Sequence, residues 1–147
     1  MLYRKILMIA CLIAGTSLAN AEEHTVKLLT SGVNGQTMVM EPAYLKINKG
    51  DTVNFVPSDA SHNAQSVSIP LAAKEFATPM GQEAKVLFNE DGIYLYKCLP
   101  HAPFAMVGLI QVGQAVNLDQ VKKEALQLNA SVVMNKTRIT EYLAQVK

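Results

Sequence analysis

Four side chains that can bind a soft metal ion stand out in the second half of the sequence. Cys98, His101 and Met106 lie within nine residues of one another, and His62 lies upstream in the segment Ser61-His62-Asn63. One thiolate, two imidazoles and a more distant thioether form the ligand set of a trigonal copper site with a weak axial methionine. These residue types therefore make a copper site the leading hypothesis.

The spacing of the three downstream residues suits a loop that closes around one ion. Cys98 ends one predicted strand and Met106 begins the next, and the two residues between Cys98 and His101 allow a tight turn. Pro100 and Pro103 stiffen that turn, which lowers the conformational entropy lost when a metal binds. Because the second imidazole comes from a separate part of the chain, the fold must complete the geometry.

Other kinds of chemistry remain open for the same residues. Cys98 with either histidine could act as a nucleophile and its base, although no oxyanion-hole motif is evident. Zinc could bind the thiolate and both imidazoles, but a thioether is a poor zinc ligand and a second cysteine is missing. A c-type haem needs Cys-x-x-Cys-His, which the sequence lacks. The last alternative is a buried thiol among core histidines and a core methionine.

Six short runs rich in β-branched and aromatic residues predict β-strands before Gly113. They cover residues 24–29, 43–48, 52–56, 84–88, 93–96 and 106–112. Turn signals such as Asn34-Gly35 and Asp91-Gly92 separate them. Short strands at this spacing, with no helical segment between most of them, predict an antiparallel β-sandwich.

The pattern changes to helical spacing after Gly113. Asn117 is the expected N-cap of a first helix, with Gln120 completing a capping box. Apolar residues at helical spacing form two stripes: Leu118, Val121, Ala125 and Leu128, then Ile139, Tyr142, Leu143 and Val146. We expect the second helix to begin near Asn135, and both stripes to pack on the sandwich or on each other.

Length and composition indicate one globular domain. The 147 residues are 50% apolar and 17% charged, with a net charge of +1. This composition argues against a disordered chain, and the absence of a run of basic residues argues against nucleic-acid binding.

Residues 1–21 resemble a secretory signal peptide, with Arg4 and Lys5 before an apolar stretch and Ala19-Asn20-Ala21 at the cleavage site. The alternatives are a membrane anchor, for which the stretch is short, and lipid attachment at Cys11.

Cleavage after Ala21 would change both the charge and the cysteine count. The mature chain would carry 11 basic and 12 acidic residues, and Cys98 would be its lone thiol. A free thiol in an oxidising compartment must be buried, nucleophilic or metal-bound. Cleavage would also leave Glu22-Glu23-His24 at the amino terminus, which could bind Cu(II) in a square plane; the favoured alternative is that His24 belongs to the first strand.

The downstream residues resemble the copper loop of the cupredoxins. The Cys-x-x-His-x-x-x-x-Met loop follows a Gly-Ile-Tyr-x-Tyr-Lys strand and precedes Val107-Gly108. Glu41-Pro42, Lys49-Gly50-Asp51-Thr52-Val53 and Ser61-His62-Asn63 are similar to family segments in the same order. The two-helix tail narrows the resemblance to the pseudoazurin branch of that family.

The resemblance implies an all-β, Greek-key β-sandwich with a C-terminal two-helix extension. Residues 1–21 would be the signal peptide and residues 22–147 a single domain, divided into the sandwich (22–113) and the helical extension (114–147). It further implies one type 1 copper ion and no enzymatic activity. The copper ligands it implies are His62, Cys98, His101 and Met106. The backbone N–H of Asn63 would donate a hydrogen bond to the Cys98 sulfur.

The function implied by the resemblance is single-electron transfer in the bacterial periplasm. A nitrite reductase-like acceptor and a cytochrome donor would dock transiently around His101, which has an apolar collar that includes Phe104. After signal cleavage we expect a monomer with no membrane attachment. One departure concerns charge: the family commonly surrounds this patch with lysines, whereas Asp59, Ala60 and Ser61 precede His62 here. The alternative function is a periplasmic copper carrier or storage protein.

Overall fold

Two four-stranded β-sheets pack face to face in the computed structural model, which describes residues 21–147. Apart from Ala21, the predicted signal peptide lies outside the described residues. The strands are β1 (Glu23–Ser31), β2 (Thr37–Glu41), β3 (Tyr44–Ile47), β4 (Thr52–Pro57), β5 (Gln65–Ser68), β6 (Ala84–Leu87), β7 (Gly92–Lys97) and β8 (Val107–Val112). A 3-10 helix (Ala102–Phe104) and helices α1 (Leu118–Ala130) and α2 (Arg138–Leu143) complete the chain.

The two sheets have the strand orders β2-β1-β4-β6 and β3-β8-β7-β5. The six strands predicted from sequence are all present, and β2 and β5 are additional. The predicted all-β, Greek-key sandwich with a C-terminal two-helix extension is confirmed.

The prediction that the sandwich is antiparallel is wrong for two strand pairs. β1 pairs with β4 in parallel, and β3 pairs with β8 in parallel. The parallel β1–β4 pair follows from a crossover between the sheets. β3 comes between β2 and β4 in the chain, but it belongs to the second sheet. The chain therefore returns to the first sheet beside β1 and runs in the same direction as β1.

Alternating apolar residues from both sheets form the core between them. Val26 and Leu28 of β1 and Phe55 of β4 are fully buried against residues of β7 and β8, including Tyr96. The Phe55 ring lies 5.3 Å from the Tyr96 ring in an edge-to-face arrangement. Removing this apolar surface from water is the main source of stability of the sandwich.

The helices cover the outer face of the second sheet. Val121 and Ala125 of α1 and Ile139 of α2 are buried against strand residues that include Leu95 and Leu109. The predicted packing of the apolar stripes on the sandwich is thereby confirmed. Within residues 21–147, no helix combines the length and apolarity needed to cross a membrane.

The predicted capping box at α1 does not form. Asn117 occupies the N-cap position, but its side chain makes no cap hydrogen bond. Instead it accepts from Ile93 N at 2.7 Å and donates to Ile93 O at 2.9 Å. The Asn117 amide is thus occupied by the backbone of β7, and it anchors the start of α1 to that strand.

Strand ends deliver the candidate metal-binding residues to one end of the sandwich. His62 lies in the connection that follows β4, Cys98 directly follows β7, and Met106 directly precedes β8. Because β7 and β8 are antiparallel neighbours, the end of β7 and the start of β8 lie side by side.

Candidate metal centre

Two parts of the chain build the candidate metal centre. Residues 58–64, here called the upstream segment, contain His62, and residues 98–106, the downstream loop, contain Cys98 and His101. His62 Nδ1 lies 3.1 Å from His101 Nδ1 and 3.9 Å from Cys98 Sγ. Cys98 Sγ lies 3.5 Å from His101 Nδ1. The three side chains form a group in which every donor atom can reach one common ion.

The dimensions of this triangle fit a first-row transition metal. Such ions bind nitrogen at about 2.0–2.1 Å and sulfur at about 2.3 Å, so ligand atoms around one ion lie roughly 3–4 Å apart. All three distances fall in that range. One thiolate with two imidazoles in a trigonal arrangement is also the donor chemistry that selects copper in electron-transfer sites. The residues therefore fit a copper ion.

Thr30 and Asp59 fix which nitrogen of His62 carries the proton. Thr30 Oγ1 donates to Asp59 Oδ2 at 2.7 Å and lies 2.8 Å from His62 Nε2. Hydrogen bonds from Ser61 and Thr30 hold the pKa of Asp59 well below its usual range, so its carboxylate can only accept. Since the single Thr30 proton goes to Asp59, Nε2–H must donate to Thr30. The free lone pair is then on Nδ1, which faces Cys98 and His101.

The upstream segment is held in place by hydrogen bonds to the connection between β5 and β6. Gly81 N donates to His62 O at 2.8 Å, and Ala64 N donates to Thr78 Oγ1 at 2.9 Å. Gly81 has φ +66°, and a Cβ there would lie 2.6 Å from Ala60 Cα. Only glycine allows this close approach, so the irregular connection serves as a support for His62.

His62 is fully buried, and its environment disfavours protonation. Burial lowers the pKa of the His62 imidazole, and the neighbouring His101 lowers it further, while the Asp59 carboxylate acts in the opposite direction. A neutral imidazole is the form that binds a metal ion. The environment therefore favours the metal-binding form.

Cys98 is a buried free thiol at the end of β7. Its backbone N donates to Met106 O at 2.9 Å, which closes the downstream loop at its base. Burial raises the pKa of the Cys98 thiol, while the backbone N–H groups of Asn63 and His101 act in the opposite direction. The Asn63 side chain adds a second link, since its Oδ1 accepts from Leu99 N at 2.9 Å.

Met106 is fully buried in the same core cluster as Cys98. Its backbone N donates to His101 O at 3.3 Å, and Gly108 follows it in β8. A Cβ at Gly108 would overlap the ring of Tyr96, so glycine is needed for the close packing of β7 and β8. The backbone of Met106 is thus hydrogen-bonded to the backbones of both Cys98 and His101.

His101 is partly exposed, as its apolar neighbours predicted. Its ring lies 6.2 Å from the ring of Phe104, and Leu99 and Pro103 are exposed beside it in the downstream loop. Leu99 is 54% exposed and Phe104 36% exposed, so Phe104 is not a full core residue. The downstream loop therefore presents an apolar surface around the one candidate donor that reaches solvent.

His24 takes no part in this centre. It lies in β1, where its Nε2 is 3.0 Å from Asp51 Oδ2. Asp51 also accepts from Glu22 N and Asn48 N, each at 2.9 Å. Because Asp51 precedes β4 and His62 follows it, the cluster lies at the end of β4 remote from His62. His24 is thus a strand residue engaged by a carboxylate, as favoured from the sequence.

Two functional contacts were not anticipated from the sequence. Thr30 reaches His62 from β1, and Arg138 of α2 reaches the downstream loop. Both residues are distant in sequence from the groups they contact, and neither belongs to a recognisable motif. A buried arginine in an amphipathic helix could have been found only from the structure.

Comparison with known proteins places this geometry in a family. Residues 26–113 match the family described as copper binding proteins, plastocyanin/azurin family. A putative pseudoazurin of Rhizobium leguminosarum bv. viciae is 41% identical over 116 residues, covering 77% of this chain and 76% of that protein. The pseudoazurin of Methylorubrum extorquens is 36% identical over 155 residues, covering 100% and 99%.

A solved structure shows the same architecture. The crystal structure of native pseudoazurin from Hyphomicrobium denitrificans superposes with a TM-score of 0.76 at 37% identity, covering 85% of this chain and 98% of that one. The chain belongs to the plastocyanin/azurin family of copper-binding proteins, and within that family to the pseudoazurins. Copper is accordingly its cofactor, and the family is that of blue copper electron-transfer proteins.

Proposed function

We propose that this chain is a periplasmic electron carrier that binds one type 1 copper ion through His62, Cys98, His101 and Met106. In this proposal it accepts single electrons from a cytochrome and donates them to a nitrite reductase-like enzyme, without catalysing a reaction itself. The observation that carries the proposal is the convergence of two imidazole Nδ1 atoms and one buried thiol within 3.9 Å of one another.

The residues around the site support rapid transfer with little movement. When bound, copper supplies a one-electron Cu(II)/Cu(I) couple. His62 and Cys98 are fully buried and exclude water from the ion. His62 is held through Nε2 and its backbone carbonyl, and Cys98 through its backbone N–H. Because the protein holds both side chains, their positions need not change between oxidation states.

His101 is the proposed exit for the electron. It is the donor residue that reaches solvent, and Leu99, Pro103 and Phe104 form an apolar surface around it. A small apolar surface allows brief docking, and redox partners must dissociate quickly. The mature chain would carry a net charge of −1, and Asp59 is exposed near His62. We therefore expect only a weak dependence of transfer rate on ionic strength.

The first test is copper loading of the purified mature protein. One equivalent of Cu(II) should give the intense blue colour of a copper–thiolate site. Reduction by a cytochrome and re-oxidation by nitrite reductase should then be followed by stopped-flow spectroscopy.

The docking surface is tested with two variants. Leu99→Asp should slow both reactions. Leu71→Asp, a matched change at an exposed residue of the β5–β6 connection, should not slow them. Equal rates for both variants, or a steep fall of rate with salt, would contradict the proposed docking surface.

A copper carrier or storage protein is the second candidate. A carrier should release its ion to an acceptor, and the buried thiol and braced loop support retention instead. Incubation of the loaded protein with a mild chelator separates the two functions. If the blue colour persists over hours, the result supports electron transfer. If the protein is colourless and loses its copper readily, the result supports copper delivery or storage.

The proposed localisation and domain organisation require cleavage after Ala21. Residues 1–21 would direct export, and residues 22–147 would form the mature monomer, with a sandwich (22–113) and a helical extension (114–147). Amino-terminal sequencing of the protein recovered from a periplasmic extract should begin at Glu22. Size-exclusion chromatography should give the mass of one chain. A product that retains residues 1–21, or that is recovered from the membrane fraction, would contradict this part of the proposal.

A further inference from the structure

Arg138, the first residue of α2, is a buried cation with unusual partners. Only 6% of its surface is exposed. Its Nη1 donates to Met38 O at 2.8 Å, and its Nη2 donates to Thr37 O at 3.0 Å. These carbonyls belong to β2, so the guanidinium joins α2 to the edge strand of the first sheet.

The same guanidinium also faces the downstream loop. Nη1 lies 3.5 Å from Phe104 O and 3.5 Å from Ala105 O, the two carbonyls that immediately precede Met106. Among residues 21–147, no carboxylate oxygen lies within 4.0 Å of Arg138. Its hydrogen bonds are therefore all made to backbone carbonyls, and its positive charge is not paired by an adjacent acid.

Three left-handed backbone conformations meet at this point. Among the described residues, Met38, Ala105 and Asn135 are the non-glycine residues with positive φ, at 52°, 56° and 58°. Arg138 binds the carbonyls of Met38 and Ala105, and Asn135 Nδ2 donates to Phe104 O at 3.1 Å. Such conformations persist in non-glycine residues only where surrounding contacts hold them. Ala105 ends the 3-10 helix and turns the chain into Met106, so its conformation decides where Met106 lies.

The segment between the two helices adds two bonds to the same loop. Val133 N donates to Pro103 O at 2.8 Å, and Met134 N donates to Pro103 O at 3.3 Å. The carbonyls of Pro103, Phe104 and Ala105 are thus all bound by groups from the C-terminal extension. The extension therefore contacts the downstream loop as well as the outer face of the sheet.

We propose that Arg138 is a positioning residue of the metal centre, which fixes the backbone from Phe104 to Met106 against β2. This inference rests on the proposed function and assigns the C-terminal extension a role in it. The geometry of Met106 depends on the hydrogen bonds to the Phe104 and Ala105 carbonyls. The buried positive charge favours the oxidation state with the lower charge, Cu(I), and so raises the reduction potential.

Two variants separate the positioning of the loop backbone from the effect of the positive charge on the reduction potential, and a third variant is the control. Arg138→Met removes both the hydrogen bonds and the charge, whereas Arg138→Lys keeps the charge and loses the planar fork that spans two strands. Lys136→Met is the matched control, because it removes a positive charge from an exposed position two residues away. Amide hydrogen exchange of Phe104, Ala105 and Met106 is measured in copper-free protein, and the reduction potential in copper-loaded protein.

We expect these amides to exchange about tenfold faster in both Arg138 variants than in the wild type, because their hydrogen bonds open more often. The reduction potential should fall in Arg138→Met and stay close to the wild-type value in Arg138→Lys. Lys136→Met should change neither quantity. Wild-type exchange rates in Arg138→Met would overturn the positioning role; if that variant does not fold, the same comparison is made with Arg138→Lys. Wild-type protein that binds no copper would refute the proposed function. The exchange measurement, made in copper-free protein, would still test whether Arg138 positions the loop.

Discussion

The upstream segment and the downstream loop hold their metal-binding residues by different means. His62 is buried and oriented by charged and hydroxyl side chains, through Thr30 Oγ1 and Asp59. The downstream loop is held mainly by backbone carbonyls, which accept from Cys98 N–H at its base and from the C-terminal extension at its far end. The upstream half of the centre is thus fixed by a side-chain network, and the downstream half by hydrogen bonds to its backbone carbonyls.

This difference separates two tasks. A hydrogen bond to Nε2 sets the tautomer and basicity of an imidazole, so the upstream half can adjust the donor strength of one ligand. Backbone contacts cannot do that, but they fix the path of a loop that carries three candidate ligands. Changes in the upstream network should therefore alter metal affinity, whereas changes in the extension should alter loop order and stability.

The largest expected effect tests whether both halves meet at one ion. Replacing Cys98→Ser removes the thiolate that lies beside both imidazoles, so the blue colour should be lost completely while the β-sandwich remains folded. Visible absorption during a Cu(II) titration and circular dichroism measure the two outcomes. Met106→Gln is the comparison variant, expected to keep copper with a lower reduction potential. Blue colour in the Cys98→Ser protein would mean that another group binds the copper.

The second prediction concerns the packing behind the downstream loop. Ile139 is buried between α2 and the second sheet, so Ile139→Ala should lower the free energy of unfolding by about 2–5 kcal/mol. Denaturant unfolding measures the loss. Amide exchange should accelerate at Phe104 and Ala105 but not at His62 and Asn63. Equal acceleration in both regions would show that the two halves are not supported independently.

The third prediction uses the charged cluster at the other end of β4. Burial would raise the pKa of Asp51, but hydrogen bonds from Glu22, Asn48 and His24 outweigh it and lower that pKa. The carboxylate therefore adds stability above its unfolded pKa of about 3.9, and that stability is lost as the pH falls toward the lower folded value. Asp51→Asn should cost about 1–3 kcal/mol near neutral pH and progressively less in acid.

Denaturant unfolding at several pH values measures this dependence. The reduction potential of the loaded Asp51→Asn protein should match that of the wild type, because the cluster lies away from both halves of the centre. A destabilisation that does not diminish in acid would contradict the role given to the Asp51 carboxylate.

The smallest expected effect belongs to the network around His62. Asp59→Asn removes the charge that orients Thr30. It should weaken copper binding by about tenfold, which is the lower limit typical of residues that act on a metal ligand through a hydrogen bond. Competition with a chelator of known affinity measures the change. Asp119→Asn, at an exposed residue in the first turn of α1, is the control of equal charge. If both variants bind copper equally, His62 needs no oriented partner.

Local sequence patterns predicted most of the strands and the helices correctly. β-branched and aromatic runs indicated six strands, because residues such as Val53 and Ile110 suit a pleated, buried surface. β5 has the sequence Gln-Ser-Val-Ser and an irregular register, and β2 contains Met38 at positive φ, so neither shows a clear alternation. The parallel pairings depend on which sheet each strand joins, and no local pattern records that choice.

The candidate donors could be predicted because metal chemistry restricts the residue types and their spacing. The residues that position these donors could not be predicted, because they contact groups that are distant in the sequence. Thr30 is an ordinary strand residue in the sequence, and its role depends on meeting Asp59 and His62. Arg138 precedes the apolar stripe of α2, where an arginine is usually solvated, yet its partner carbonyls lie in β2 and the downstream loop.

Anomalous diffraction at the copper edge, from crystals of the loaded mature protein, would locate the ion and identify the side chains that bind it. We expect one strong peak per chain, in contact with His62 Nδ1, Cys98 Sγ and His101 Nδ1, and with the Met106 sulfur at a longer distance. A principal peak elsewhere, for instance at His24, or a copper ion that contacts only one half of the centre, would contradict the account.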